Sequence, residues 1–534
     1  MSQTQLPFRQ SEMHPSRWGD PSLEAPLADG ARGLVELAFG ALESHPALDA
    51  PALPASGLAP ALLASLREVL GSEHVLVDDE TRRLRTRGKS TPDLLRMRAG
   101  DLADAPDAVV RPGTHEDVAA VLAFAVEHHV AVVPFGGGTS VTGGLVARRD
   151  GFAGLVSLDL VRMKGLLGVD HVSMTAVLEP GLRGPEAEAL LAAEGLTLGH
   201  YPQSFEYATI GGFAATRSSG QSSAGYGRFD AMVVALRVAT PRGELRLGTS
   251  PANAAGPDLR QLVLGSEGAF GVITAVTVRV RPLPAEKVYE GWRWASFTAG
   301  ADAMRTLAQS GVLPTVLRLS DENETAINLA RPDEIGGDSA GGAGGCVMIT
   351  GYEGDPTAVA VKRAAVTSVL EGLGGVLLGA EPGAAWAHGR FNAPYLRDSM
   401  LDVGVLVETM ETATFWSNRD ALYSAVKQAL ETSLGAGAIV LCHISHVYET
   451  GCSLYFTVAT KADAAPLPQW LSAKAAASDA MMAAGATITH HHAVGTDHKP
   501  WLAIELGELG VSVLRAVKAD LDPTGVLNPG VLIP

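Results

Sequence analysis

The sequence predicts an α+β protein: a domain of two small mixed halves, then an α/β cap carrying an antiparallel sheet, and a C-terminal helical segment. Three observations predict it. Between 107 and 285, short β-rich runs alternate with helical patterns and turn signals. After Pro284, longer strand-like and helical stretches alternate, as a sheet backed by helices requires. Near the end, one long helical pattern stops at a proline and gives way to a loop-like tail. With 534 residues the chain has room for about three domains. The expected divisions are a partly helical N-terminal extension over 1–105, the two-part domain over 106–285, the cap over 286–500, and a closing segment over 501–534 that returns to the two-part domain.

Residues 1–50 are rich in Pro, Gly and Ala with little periodicity, and are expected to wrap the surface or extend a domain. LAPALLASLREVL (58–70) has helical apolar spacing, and an arginine-rich polar stretch, DDETRRLRTRGKS, comes after it. DAVVRP is a strand. HEDVAAVLAFAVEHH is an amphipathic helix with Thr114 as N-cap and Asp117 three residues on, a variant capping box. VAVVPF, GLVSLDL and SMTAVLEP are strands, and GPEAEALLAAEG is a helix. DAMVVALRVATPRGELRL is a hairpin turning at Pro241-Arg242-Gly243, and FGVITAVTVRVRPLP is a long alternating strand. VYEGWRWASF opens the cap as a strand, and GGDSAGGAGG near 340 is a loop. PWLAIELGELGVSVLRAVKADLDP is the final helix, and TGVLNPGVLIP the returning tail.

Composition removes several function classes. A net charge of −17 argues against nucleic acid, whose phosphates need clustered Lys and Arg. No apolar run is long enough to span a membrane, no secretory h-region opens the chain, and VLIP is not a peroxisomal address. Cys346, Cys442 and Cys452 have no C-x-x-C spacing, so no disulfide framework is expected. A cytoplasmic location is the expectation, with room for peripheral membrane contact if a substrate is lipidic.

The most informative stretch is VVPFGGGTSVTGG (132–144). Three consecutive glycines let backbone N–H groups turn inward and approach an anion that side chains would block. The spacing is not G-x-G-x-x-G, the SVTGGLV stretch after the glycines favours strand or loop over a helix start, and no Walker-type loop is present. Phosphate or pyrophosphate is the natural guest.

Three blocks in order then carry a resemblance: PDAVVRP…HEDVAAVLAFA…VVPFGGGTSVTGG, QSFEYATIGGFAATRSSG, and LGSEGAFGVITAVTVRVRP. They resemble the FAD-binding domain of the vanillyl-alcohol-oxidase, or p-cresol-methylhydroxylase (PCMH), type. GHYPQS, VLRLSDE, YLRDSMLDVGVLVETMETATFW, GCSLYFTV and the HHH-A-V-G run further resemble the alkyldihydroxyacetonephosphate synthases of ether-lipid synthesis. The resemblance covers about residues 75–534.

It implies FAD as cofactor. Pro134, Phe135, Gly136, Gly137, Gly138, Thr139 and Ser140 would cradle its pyrophosphate. Gln203, Ser204, Phe205, Glu206, Tyr207, Ala208 and Thr209, with Thr216, Arg217, Ser218 and Ser219, resemble the segments that line the flavin and ribityl chain. Glu267, Gly268, Ala269, Phe270, Gly271, Val272 and Ile273 resemble the adenosine-side segment. Some relatives bind flavin covalently through a His beside the glycine run; Thr139 stands there, so noncovalent FAD is expected.

By the same resemblance, Tyr455 is the acid/base tyrosine, His491 its activator with His490 and His492 in support, and Arg397 the ligand of the substrate phosphate. A salt bridge from Arg397 to Asp398 or Asp402 is the structural alternative. Arg318 and His200 match two further positions important for activity. Tyrosine is a weak base near its free pKa of about 10 and needs help. Three histidines in a row raise the question of zinc, and strand geometry speaks against it. Neighbours on a strand face opposite ways, so His490 and His492 would share a side and His491 would face away; no metal is expected.

The implied reaction replaces the acyl group of acyl-dihydroxyacetone phosphate by a fatty alcohol through a flavin N5 adduct, without net redox change. The substrates are small lipids, two alkyl chains imply an apolar tunnel, and a homodimer is compatible with the resemblance. The alternative is an FAD-linked D-2-hydroxyacid dehydrogenase or oxidase transferring hydride, a reading favoured by the ending DPTGVLNPG.

Overall fold

The computed structural model describes residues 11–23, 26, 27, 29–146, 148–329 and 345–534. The glycine-rich stretch at 336–344 lies outside them. The first half of the two-part domain is a four-stranded sheet of β1 (Val75–Leu76), β2 (Ala108–Val110), β3 (Ala131–Phe135) and β4 (Leu155–Asp159), in the order β1-β2-β4-β3. β2 and β3 both run parallel to β4. A parallel pair needs a crossover, and the helix His115–His128 supplies one, with the expected Thr114–Asp117 capping box. β1 adds a strand upstream of residue 106, and the helix Pro60–Leu70 packs into the same core through Leu66 and Leu70.

The second half comprises β5 (Leu166–Asp170), β6 (Thr175–Leu178), β8 (Val233–Thr240), β9 (Gly243–Leu247) and β10 (Val272–Arg279), antiparallel in the order β5-β6-β10-β8-β9. Thr240 pairs with Gly243, which places the hairpin turn on Pro241-Arg242. A small ribbon joins β7 (Leu196–Thr197) to β11 (Arg281–Pro282).

The cap is a seven-stranded sheet of β12 (Glu286–Trp294), β13 (Val316–Ser320), β14 (Cys346–Gly354), β15 (Val376–Gly379), β16 (Val405–Phe415), β17 (Ile439–Ile444) and β18 (Gly451–Lys461). Its order is β15-β12-β14-β13-β17-β18-β16, antiparallel throughout, with helices over one face. Trp292, Trp294 and Trp470 are fully buried in its core. Each contributes roughly 4–6 kcal/mol of transfer free energy by area. The three cysteines are buried and unpaired.

Two features go beyond the sequence reading. The arginine-rich polar stretch is folded inward: Arg82, Arg85, Arg87 and Lys89 are buried. Arg85 lies between Asp159 (3.0 Å) and Glu12 (2.9 Å), and Lys89 Nζ donates to the carbonyls of His14 (2.6 Å) and Pro15 (2.8 Å). The N-terminal segment supplies acceptors in place of water, so the charges are buried with partners. The final helix, Lys499–Leu521, is interrupted at Gly507, where φ is 67°. Its tail lies against the glycine loop: Leu527 bridges to Val132, and Asn528 Nδ2 donates to the carbonyls of Gly144 (3.0 Å) and Glu267 (2.7 Å). No helix among the described residues is long and apolar enough to cross a membrane.

Candidate active site

The two-part domain and the cap enclose a cavity of about 840 Å³. Its floor is the glycine loop with residues 202–219 and 267–273; its roof is the face of β13, β16, β17 and β18. Leu34, Val35 and Phe39 of the helix Asp29–Phe39 and Leu396 and Met400 of the helix Ala393–Leu401 give it an apolar end.

The glycine loop is built for an oxygen-rich guest. The N–H groups of Gly137, Gly138, Thr139 and Ser140 find no acceptor within the chain among the described residues. Gly138 sits at φ +67°, and a Cβ on Gly137 would collide with the carbonyl oxygen of Tyr207. Gln203 Nε2, also lining the cavity, is a buried donor without a partner. Orphaned donors beside a glycine turn suit the pyrophosphate of FAD. Gly137→Ala should therefore push the 203–209 loop off the cradle and weaken FAD binding about 5- to 100-fold, from roughly 1–3 kcal/mol of overpacking. Gly168→Ala, at a position with open space around it, should leave affinity unchanged. Flavin titration of the apoproteins checks both.

Not every expected cofactor residue faces the cavity. Pro134, Phe135, Ser204, Ala208, Thr209, Thr216, Ser218, Ser219, Gly268, Gly271, Val272 and Ile273 line it; Phe205, Glu206, Tyr207, Arg217, Ala269 and Phe270 do not. Tyr207 packs edge-on to Trp18, Glu206 accepts from the Tyr395 hydroxyl at 3.3 Å, and Arg217 donates to the carbonyls of Leu264 and Gln261. Ala269 and Phe270 belong to a small core under the final helix. These segments turn tightly, so some of their residues face the cavity and others pack against the surrounding chain.

Tyr455 stands at the centre of the roof. In the sheet register it is directly opposite His443 of β17 and Glu411 of β16. The His443 ring stacks on it at 4.7 Å, and the His491 ring lies parallel at 6.0 Å. Burial, with Glu408 and Glu411 nearby, pushes its phenol up to about 12, so the proton stays on at neutral pH until a neighbour accepts it. Arg318 Nη2 donates to His443 Nδ1 (3.0 Å) and Glu324 (2.6 Å). Burial opposes ionisation of Glu324, but His443 and Arg318 hold it near 2. Glu324, Arg318 and His443 are thus joined by hydrogen bonds, and the His443 ring carries the row on to Tyr455 by stacking.

The histidine run departs from the strand geometry expected. Residues 490–492 form a turn, not a strand, because three successive N–H groups converge on the Glu411 carboxylate. His491 and His492 consequently both line the cavity, and His490 turns away to the Tyr448 hydroxyl at 2.5 Å. Strand alternation therefore does not keep these rings from sharing an ion. One ring nitrogen each of His446, His490 and His491 lie within 4.8 Å of one another. Outward nitrogens are already hydrogen-bonded, His446 Nδ1 to Ser223 Oγ at 2.7 Å and His490 Nε2 to Tyr448.

His200 does not reach the cavity. It is buried against Phe213 and Phe229, with Nε2 on Ser218 Oγ at 3.0 Å, and burial drives its imidazole down to about 3. Its partner Ser218 does line the cavity. Arg397 lies between the two anticipated arrangements: Nε donates to Asp398 (3.1 Å) and Nη1 to the Lys89 carbonyl (2.6 Å). Nη2 is 3.1 Å from Asp398 Oδ1, too poorly aligned to bond, and remains a buried donor without an acceptor. Asp402 is instead taken by Arg17 and Arg98.

Sequence reasoning missed His443, His446, Glu324, Glu411 and Lys89. The only signal was the H-x-x-H spacing in CHISH; the carboxylates sit in ordinary strand and helix patterns. Glu267, which lines the cavity, also has a structural task. Its carboxylate accepts from the N–H groups of Val494 and Gly495 at 3.0 Å, fastening the histidine loop to the two-part domain. Burial pushes it up to about 7 from 4.5. The folded chain thus holds a proton there that the unfolded chain has lost. That contribution is fully present below pH 4.5 and fades as pH rises through about 7. Glu267→Gln should keep its thermal midpoint across pH 5–8 better than wild type, as differential scanning fluorimetry would show.

Comparison with known proteins agrees with this architecture. Residues 106–248 match the family "FAD binding domain" and residues 283–532 "FAD linked oxidases, C-terminal domain". Alkyldihydroxyacetonephosphate synthase of Trypanosoma brucei brucei is 35% identical over 497 residues, covering 88% of this chain and 80% of that protein. The Dictyostelium discoideum enzyme is 34% identical, covering 86% and 78%. A solved alkyldihydroxyacetonephosphate synthase superposes with a TM-score of 0.83 at 30% identity, covering 97% of this chain and 98% of that one. With an orphan-donor cradle that fits FAD below and a tyrosine–histidine–arginine roof above, the chain belongs to the alkyldihydroxyacetonephosphate synthase family of FAD-dependent enzymes.

Proposed function

We propose that this chain exchanges the acyl group of acyl-dihydroxyacetone phosphate for a long-chain alcohol, with Tyr455, His491 and Arg397 as its working side chains. The observation that carries the reading is the polarity of one cavity. A buried arginine with a free Nη2 lies in the same chamber as the Tyr455 row and an apolar end formed by two helices. A phosphate-bearing lipid has that same division, a dianionic head and apolar chains.

Arg397 receives the phosphate on Nη2 and fixes the three-carbon unit under the roof. Tyr455 moves the substrate proton, passing its own to His491, with His492 in support and His490 anchoring the loop. Arg318 keeps Glu324 ionised and fixes the His443 ring through Nδ1, while burial and the Arg318 cation hold that imidazole neutral. The 136–140 loop would hold FAD noncovalently, and the bound cofactor would supply an electrophilic ring that makes exchange without net redox change accessible. The cap helices exclude water from the reacting carbon, which matters because hydrolysis is the competing outcome. This mechanism requires no metal.

Leu37, Ile327 and Leu396, respectively 79%, 48% and 55% exposed on helices that line the cavity, support peripheral membrane contact. Co-sedimentation with neutral vesicles tests it. Homodimerisation and a cytoplasmic location rest on the resemblance and the sequence alone; light scattering and fractionation test them. The function is tested by incubating the yellow protein anaerobically with acyl-dihydroxyacetone phosphate and hexadecanol. Fatty acid release, ether product and oxidised flavin at the end are the expected result. Bleaching by a 2-hydroxyacid with no ether product would instead make it a dehydrogenase.

A further inference from the structure

Glu411 does not line the cavity, yet it is among the most completely enclosed charges beside it, with no side-chain exposure. It stands at mid-β16, directly across from Tyr455. It accepts hydrogen bonds from the backbone N–H groups of His490 (2.7 Å), His491 (3.0 Å) and His492 (2.9 Å), and from Thr489 Oγ1 (2.5 Å). His491 Nδ1 lies 3.4 Å away.

Successive N–H groups converging on one anion form a nest, and a nest fixes backbone curvature. Here the curvature decides which rings meet Tyr455. His491 and His492 are brought to 6.0 and 5.4 Å from its ring, while His490 is turned out. An extended 489–492 segment would present only alternate rings. The far end of the loop is tied down separately by Glu267, so Glu411 governs the end that carries the histidines.

We propose that Glu411 is the positioning residue of the Tyr455–His491 pair. It shapes the loop, and its charge balances His491 when that ring takes the proton. The transfer breaks the Tyr455 O–H bond and forms an imidazole N–H, leaving phenolate and imidazolium with no change in net charge. The resulting cation faces a carboxylate already in place, with no solvent to reorganise. This role for Glu411 rests on Tyr455 and His491 being the proton carriers of the exchange.

Glu411→Gln keeps the shape but removes the charge and sets an NH₂ group among N–H donors. Flavin content and the KM for acyl-dihydroxyacetone phosphate should stay within about twofold, because Arg397 and the glycine loop are untouched. Turnover should fall about 100-fold or more, and the pH profile of kcat should shift. Amide hydrogen exchange across 489–492, read by mass spectrometry, should accelerate. A kcat within threefold of wild type overturns the proposal, whatever the exchange shows. So does a loss confined to flavin content or KM.

If the Gln variant does not accumulate as a flavoprotein, Glu411→Asp decides, since it withdraws the charge by one methylene. At least a tenfold lower kcat at unchanged KM supports the proposal; wild-type kcat and pH profile overturn it. Failure of wild type to make ether would remove the exchange reaction itself. Amide exchange, and turnover with whichever substrate bleaches the flavin, would still judge Glu411.

Discussion

Tyr455→Phe is expected to lower kcat by about 1,000-fold, roughly 4 kcal/mol of barrier, while leaving the protein yellow and folded. The substitution removes one oxygen. The ring keeps its stack on His443 at 4.7 Å and its place in β18, so neither the sheet nor the cradle is disturbed. What disappears is the hydroxyl of the ring that stacks between His443 and His491. Because burial holds this phenol up near 12, the tyrosine works only through a partner that takes its proton. His491→Asn should therefore approach the same loss, and the double variant should be little worse than either single one, as for residues acting as a unit. More than a tenth of wild-type kcat in the phenylalanine enzyme, with full flavin, would remove Tyr455 from the chemistry.

Arg397→Ala should cost about 2–4 kcal/mol in kcat/KM for acyl-dihydroxyacetone phosphate, roughly 30- to 1,000-fold, mostly as a raised KM. Lysine should not rescue it. The guanidinium is held at two points, Nε on Asp398 and Nη1 on the Lys89 carbonyl, and this leaves Nη2 free to meet an anion. An ammonium cannot hold two protein acceptors and offer a fixed third donor in one plane. A substrate lacking the phosphate separates this role from a structural one. Wild type should use acyl-dihydroxyacetone as poorly as the alanine enzyme does, and the KM for the alcohol should not move. If both enzymes discriminate equally between phosphorylated and unphosphorylated substrate, Arg397 does not bind phosphate.

Local sequence carried the elements and the cradle. The Thr114–Asp117 cap, the Pro241-Arg242 turn and the alternation in β10 are interactions among residues a few positions apart, and each is found where the spacing puts it. The triple glycine was legible for the same reason, since its lack of Cβ atoms is a property of those positions alone. The tyrosine of β18 could be named by resemblance, and its strand by alternation, but not its neighbours.

What tertiary structure alone decided is who faces whom. The histidine run has the local pattern of a strand, and one buried carboxylate 79 residues upstream curls it into a turn. His443, Tyr455 and Glu411 come into one row through the pairing of β17, β18 and β16, a register no segment contains by itself. The arginine-rich stretch is polar in sequence, and its Lys89 is buried because the N-terminal segment folds over it with its carbonyls. Short-range sterics and hydrogen bonding write elements into a sequence, whereas the placement of a buried charge depends on whichever distant donors arrive to replace water. That is why the cradle could be read from the chain and the proton path could not.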